Sequence, residues 1–136
     1  MTVERFSVSV AAALLGVSDD TVRRWAESGR IALDRSERGR YAVDGRELAR
    51  VAVELSAESA LPAAFPGHRS SARNHLTGIV TKVTKDTVMA QVEIQAGPFR
   101  LVSLISREAA DELSLEPGSL ATAVVKATNV TVELPG

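Results

Sequence analysis

The spacing of apolar residues changes once along this 136-residue chain, near residue 70, and that change divides it into two unlike halves. Before it, apolar positions recur every three or four residues, as on one face of a helix. Val10, Ala11, Leu14 and Leu15 follow Ser7, which suits a helix N-cap, and precede Gly16, which suits a helix C-terminus. Ser18 then caps a second helix with Asp19 and Asp20 in its first turn, where acids complement the helix dipole. This helix buries Val22 and Trp25 and stops at Gly29. Ile31 and Leu33 suit a strand, and Arg38-Gly39-Arg40-Tyr41 a turn with a return strand, so a small wing follows. Asp44-Gly45-Arg46-Glu47 reads as a capping box opening a third helix through Leu48, Val51 and Leu55.

After residue 70 the period is two. Val88, Ala90, Val92 and Ile94 alternate with Met89, Gln91, Glu93 and Gln95, the pattern of a half-buried strand. Strands are expected over 76–85, 88–95, 99–105, 120–126 and 129–134, with a short helix, Arg107 to Leu113, capped by Ser106. Five strands and one helix suit a small OB-like barrel. Between the halves, Ser56 to Ser70 has no apolar period and contains Pro62 and Pro66, which marks a linker. The expected class is α+β: a helical winged helix-turn-helix in residues 1–55, a linker in 56–70, and a five-stranded OB-like barrel in 71–136.

Composition removes several kinds of chemistry. Without cysteine there are no disulfides, zinc–thiolate sites or thiol nucleophiles. His68 and His75 are the only histidines and have no third ligand near them in sequence, so a metal site is not expected. No nucleophile–base pair, paired acids or glycine-rich phosphate loop is present, and no catalytic role is assigned. The longest mainly apolar run, Val8 to Val17, is too short to span a bilayer, so the chain is expected in the cytoplasm. The net charge of −1 gives no bulk attraction to nucleic acid. The basic residues are unevenly placed, however: residues 1–55 hold nine arginines, nine acids and no lysine.

Two segments of the second half carry an unusual concentration of hydrogen-bond donors. Ser71-Ala72-Arg73-Asn74 gathers a hydroxyl, a guanidinium, a carboxamide and close backbone N–H groups. Lys126-Ala127-Thr128 adds an ammonium and another hydroxyl. Donors of this kind suit a small tetrahedral oxyanion, because a divalent anion leaving water must recover several charge-assisted hydrogen bonds. Taken singly, each residue also suits a local role, as a turn cap or a solvated charge.

The blocks Ser71-Ala72-Arg73-Asn74-His75-Leu76-Thr77-Gly78, Val88-Met89-Ala90-Gln91-Val92, Ile105-Ser106-Arg107-Glu108 and Lys126-Ala127-Thr128, in that order, resemble the molbindin (Mop, or TOBE) family. His75 stands where glutamine is usual in that family, and Ser106 where threonine is usual. The resemblance implies a bound molybdate or tungstate at an interface between protomers. It implies that Ser71, Ala72, Arg73 and Asn74 of one chain face Lys126 and Ala127 of a neighbour, with Ser106 or Thr128 adding a hydroxyl. A homo-oligomer follows, either a dimer or a hexamer built as a trimer of dimers. A unit of about 65 residues is also near the lower limit for an independent core.

The first half, through Val10 to Ser18, Thr21-Val22-Arg23-Arg24-Trp25 and Gly29-Arg30-Ile31, resembles the winged helix-turn-helix of the MerR and excisionase type. That resemblance implies DNA as partner, with Thr21, Arg23 and Arg24 facing the groove or its phosphates and Arg38, Arg40 and Tyr41 on the wing. Trp25 reads as a core residue locking two helices. The joint expectation is a molybdate- or tungstate-responsive transcription regulator. The alternatives are a molybdate storage protein whose first half makes protein contacts, and a DNA-binding module whose second half only oligomerises.

Overall fold

A computed structural model of the chain describes residues 4–35, 38–61, 65 and 69–135, and divides it into two compact units, residues 1–65 and 66–136. In the first unit Ser7 accepts a hydrogen bond from the Val10 N–H at 3.2 Å and starts helix α1, Val8–Leu15. Gly16 ends it with φ of 73°, a conformation that costs a side-chain-free residue little. Ser18 repeats the device, accepting from Thr21 N–H at 3.1 Å at the head of α2, Asp19–Glu27. Helix α3, Gly45–Glu58, is capped by Asp44. Ala11, Ala12, Val22, Ile31, Val43, Leu48 and Val51 form the core, with Trp25 half-buried against it. The Arg30 guanidinium lies 4.7 Å from the Trp25 ring centroid and bonds Glu58 at 2.6 Å, covering the indole's outer face.

Three short antiparallel strands complete this unit in the order β1-β3-β2: β1 Arg5–Ser7, β2 Asp34–Arg35 and β3 Tyr41–Asp44. The return strand lies where expected, but its partner does not. Ile31 and Leu33 are not in a strand. The N–H groups of Arg30 and Ile31 both donate to the Trp25 carbonyl, which turns Ile31 into the core, and pairing begins at Asp34. The capping box also takes another form. Asp44 accepts from Arg46 N–H at 2.8 Å, whereas Glu47 reaches out to Ala32 N–H at 2.6 Å and to Arg50. Arg50, then the Ala32 amide, hold the Glu47 carboxyl below its usual range. Glu47 therefore ties the third helix to the segment entering the wing. Pro62, Pro66 and His68 lie outside the described residues.

The second unit is a curled antiparallel sheet in the order β6-β5-β4-β7, with β4 Asn74–Lys85, β5 Met89–Ala96, β6 Phe99–Ser106 and β7 Leu120–Val125. A short helix, α4 Arg107–Glu112, follows β6. The first half of β4 pairs with β7 and the second with β5, the two ladders meeting at Ile79. A register irregularity between Val80 and Lys82 adds to the bend. Gly78 stands at the turning point, directly against the backbone of Gln95. Val80, Val92 and Ile94 are buried at the centre.

The fifth strand expected over 129–134 does not form. After β7 the chain makes a 3-10 turn, Ala127–Asn129, in which Asn129 N–H donates to Lys126 and Val130 N–H to Ala127. Those N–H groups are then unavailable for a hairpin with β7, and Val130, Val132 and Leu134 remain exposed. Among the described residues no helix is long and apolar enough to cross a membrane.

Candidate functional site

In the second unit, the sheet register explains why the two donor-bearing segments meet although 51 residues separate Asn74 from Val125. Asn74 is the first residue of β4 and pairs with Val125, the last of β7. Its side-chain amide donates to the Val125 carbonyl at 3.1 Å. Ser71–Arg73 and Lys126–Thr128 therefore leave the same end of the β4–β7 pair, within one chain. Ser71, Arg73, Lys126, Ala127 and Thr128 are all exposed there, whereas Ala72 is 6% exposed and packs inward.

Some of these donors are engaged. Ala72 N–H donates to the Ser70 hydroxyl at 3.3 Å, and Arg73 Nη1 approaches the Ser70 carbonyl at 3.5 Å. Ser70 is thus a neighbour of the site that motif reasoning missed. Only its position one residue before the donor block could have signalled it. Lys126 makes no ion pair among the described residues, and it caps the 3-10 turn through its backbone alone.

Ser106 is not brought to this cluster. It pairs with Met89 near the far end of β5, and its hydroxyl accepts from Ala109 N–H at 3.0 Å as the cap of α4. Asp86 stands close to that end. It accepts the N–H groups of Met89 and Val88, which hold its carboxyl below the usual range, while Arg107 donates to its backbone carbonyl. No group of three or more His, Cys, Asp or Glu able to hold a metal occurs among the described residues.

In the first unit, the side chains expected to face DNA lie on α2 and on the wing. Thr21 sits in the first turn of α2, its hydroxyl 2.9 Å from that of Ser18. Arg24 Nη2 donates to the Thr21 hydroxyl at 3.0 Å, and Arg23 Nη1 donates to Asp20 at 3.3 Å. Thr21 is half-buried, and Arg23 and Arg24 are exposed. Arg38 and Arg40 flank the wing turn, and Tyr41 opens its return strand with 53% exposure. Sequence reasoning missed Arg35. Its guanidinium lies 5.0 Å from the Tyr41 ring centroid and donates to the Tyr41 hydroxyl at 3.2 Å. Its signal was pairing across the turn, legible only once the strand is shifted to Asp34–Arg35.

A family model for the helix-turn-helix domain matches residues 5–52, and one for the TOBE domain matches residues 70–132. Over 63 residues the chain is 41% identical to molybdenum-pterin-binding protein 2 of Clostridium pasteurianum, a match covering 46% of this chain and 93% of that protein. Molybdenum-pterin-binding protein MopA of Rhodobacter capsulatus is 39% identical over 71 residues, covering 52% of this chain and 26% of that one. Among solved structures, a molybdate-binding protein from Sporomusa ovata is 36% identical, covers 49% of this chain and 100% of that chain, and has a TM-score of 0.48. The cytoplasmic molybdate-binding protein ModG, solved with molybdate bound, is 41% identical over 51% of this chain and 50% of that one, with a TM-score of 0.48.

Proposed function

The chain belongs to the TOBE-domain family of molybdenum-pterin-binding proteins, with a helix-turn-helix domain ahead of that match, and from this premise we propose that it is a molybdate- or tungstate-responsive DNA-binding regulator. Residues 1–55 are its DNA-binding part, 56–70 its linker and 71–136 its anion-binding part. The observation that carries the reading is the Asn74–Val125 bond, which sets two donor-rich segments at one end of a sheet. The oxyanion is held at the interface between barrels, where Ser71, Arg73 and Asn74 and the Ala72 N–H of one chain face Lys126, Thr128 and the Ala127 N–H of a neighbour. The Ala72 N–H leaves Ser70 to do so. Ser106 joins only from a neighbouring copy, since its own chain holds it away. Thr21, Arg23, Arg24, Arg38, Arg40 and Tyr41 contact DNA, and occupancy of the anion site alters how paired heads fit their half-sites.

Calorimetric titration with molybdate, tungstate and sulfate tests the anion site. Molybdate and tungstate, nearly equal in size and both larger than sulfate, should bind far more tightly. Removing a charged donor in Lys126→Ala should cost about 2–3 kcal/mol, or roughly 30- to 150-fold. Sulfate binding as tightly as molybdate rejects the size selection. A DNA titration with and without saturating molybdate tests the switch, since any coupling between the two ligands is reciprocal. Equal DNA affinity in both removes regulation from the reading. A storage role, with the first half making protein contacts, is the second reading. Absence of DNA binding with intact molybdate binding would select it.

A further inference from the structure

Glu27 stands where local electrostatics disfavours an acid. It is the last residue of α2, beside the helix's unpaired carbonyls and the negative end of its dipole. No cation offsets it among the described residues. Arg23, four residues earlier on the same side of the helix, turns to Asp20 at 3.3 Å, and Arg24 donates to Thr21. Glu27 is exposed and makes no hydrogen bond or ion pair among the described residues.

Its surroundings narrow what it can meet. Glu27 lines a cleft of about 580 Å³ between α2 and the wing, together with Val8, Arg23, Ala26, Leu33 and Tyr41. Arg23 and Tyr41 are two of the residues assigned to DNA, so the carboxylate shares their cleft. A phosphate brought there is repelled, and an ionised carboxylate accepts hydrogen bonds without donating any. The donors that DNA presents in its major groove are the amino groups of adenine and cytosine. Adenine N6 lies between two acceptors, its own N7 and thymine O4, which both repel a carboxylate. Cytosine N4 has a C–H on one side and guanine O6 on the other, so one approach is open. The guanidinium one turn away suits that same guanine, through O6 and N7. The apolar walls from Val8, Ala26 and Leu33 exclude water and strengthen such a bond.

On the DNA-binding reading above, we propose that Glu27 reads sequence: its carboxylate accepts a hydrogen bond from the N4 amino group of a cytosine in the major groove. Arg23 turns from Asp20 to the paired guanine, which costs little because the Arg23–Asp20 pair is exposed. Glu27 thereby weakens binding to every sequence that lacks the cytosine, and specificity rests on that repulsion as much as on the bond.

The test selects duplexes from a random-sequence pool with the full chain, with Glu27→Ala and with Glu27→Gln. The wild-type consensus should fix a C·G pair at one position of each half-site. Replacing that cytosine by thymine sets O4, an acceptor, against the carboxylate and should weaken wild-type binding at least about fivefold. Glu27→Ala should bind the two duplexes alike, and should bind random-sequence DNA at least as tightly as wild type, since a repulsive charge is gone. Glu27→Gln, with a donor and an acceptor, should move the preference toward adenine. Trp25 fluorescence should show both variants melting no lower than wild type, because an acid has left the helix's negative end. A wild-type consensus without that cytosine, or the same cytosine preference in Glu27→Ala, overturns the proposal while leaving the DNA-binding reading in place. A wild-type chain that binds no DNA is a separate result, and rejects that reading and this inference together.

Discussion

Replacing Gly78 by alanine should damage the barrel far more than the loss or gain of one methyl group suggests. A Cβ built there would overlap the Gln95 carbonyl oxygen and stand 2.8 Å from its carbonyl carbon and 2.9 Å from Ala96 Cα. All three are backbone atoms of β5, so no side chain can rotate away. Ordinary contact begins near ~3.5 Å, so β4 and β5 must part by about 1 Å. Overpacking of this kind costs about 1–3 kcal/mol. Parting the strands also stretches one or two ladder hydrogen bonds near Ile79 and Gln95, at about 1 kcal/mol each. Lower entropy of the unfolded alanine chain returns about 0.4–1 kcal/mol. The balance is a loss of about 2–4 kcal/mol, or roughly 8–30 °C in the melting temperature of a unit this size. Far-UV circular dichroism should follow the sheet, while fluorescence of Trp25, the chain's one tryptophan, follows the helical unit. The dichroism transition should fall by that amount at fixed protein concentration. A shift under about 2 °C would falsify the close-approach account of Gly78.

Arg100→Ala should destabilise the barrel by about 2 kcal/mol in denaturant unfolding, because Arg100 pairs with Glu93, whose side chain is only 11% exposed and would be left charged without its cation. An unchanged midpoint would show that water replaces the guanidinium fully. Glu47→Ala should lower the Trp25-monitored transition by about 1–3 kcal/mol, since it strips the Ala32 amide and Arg50 of their shared acceptor. Glu47→Gln should recover part of that loss, and equal effects of the two would refute the role of the Ala32 bond. Acid should loosen the barrel through Asp86 and Asp111. Two backbone N–H groups hold Asp86 below its ordinary value of 3.8, and Lys85 followed by Arg107 do the same for Asp111. Their contribution is complete above that value and disappears as pH falls through the lower folded-state values. Asp111→Asn should flatten this part of the acid titration, and a profile identical to wild type counts against the assignment.

Where the sequence was legible, one residue type had one energetic use. Ser7, Gly16 and Ser18 delimit the first two helices because cap geometry leaves few alternatives, and β5 follows from the strict alternation of residues 88–95. The family matches agree with both resemblances drawn from those motifs. Strand β1 escaped notice because three residues are too short to show a period. Ile31 and Glu47 were misread because tertiary partners outbid local ones: the core took the isoleucine, and Ala32 with Arg50 took the carboxylate. The tail was misread as a fifth strand: residues 130–134 alternate apolar and polar side chains, but the chain turns away from β7 at Ala127–Asn129 and forms no ladder. Of the anion-site candidates, the proximity of Asn74 to Lys126 depended on register, which a single sequence does not display. Within one chain Ser106 stands apart from them, as the cap of α4.

On α2, the hydroxyls of Ser18 and Thr21 and the Arg24 guanidinium form a continuous line from the helix cap to the surface. An arginine free in water surrenders about 2 kcal/mol of rotamer entropy when a ligand fixes it. Here the Thr21 hydroxyl accepts one hydrogen bond from Arg24 and so favours one of its rotamers. A substitution at Ser18, a residue that need never touch a ligand, would thus blur the aim of Arg24. The same substitution removes the cap of α2, so the loss of Arg24's support and a loss of about 1 kcal/mol of stability should appear together.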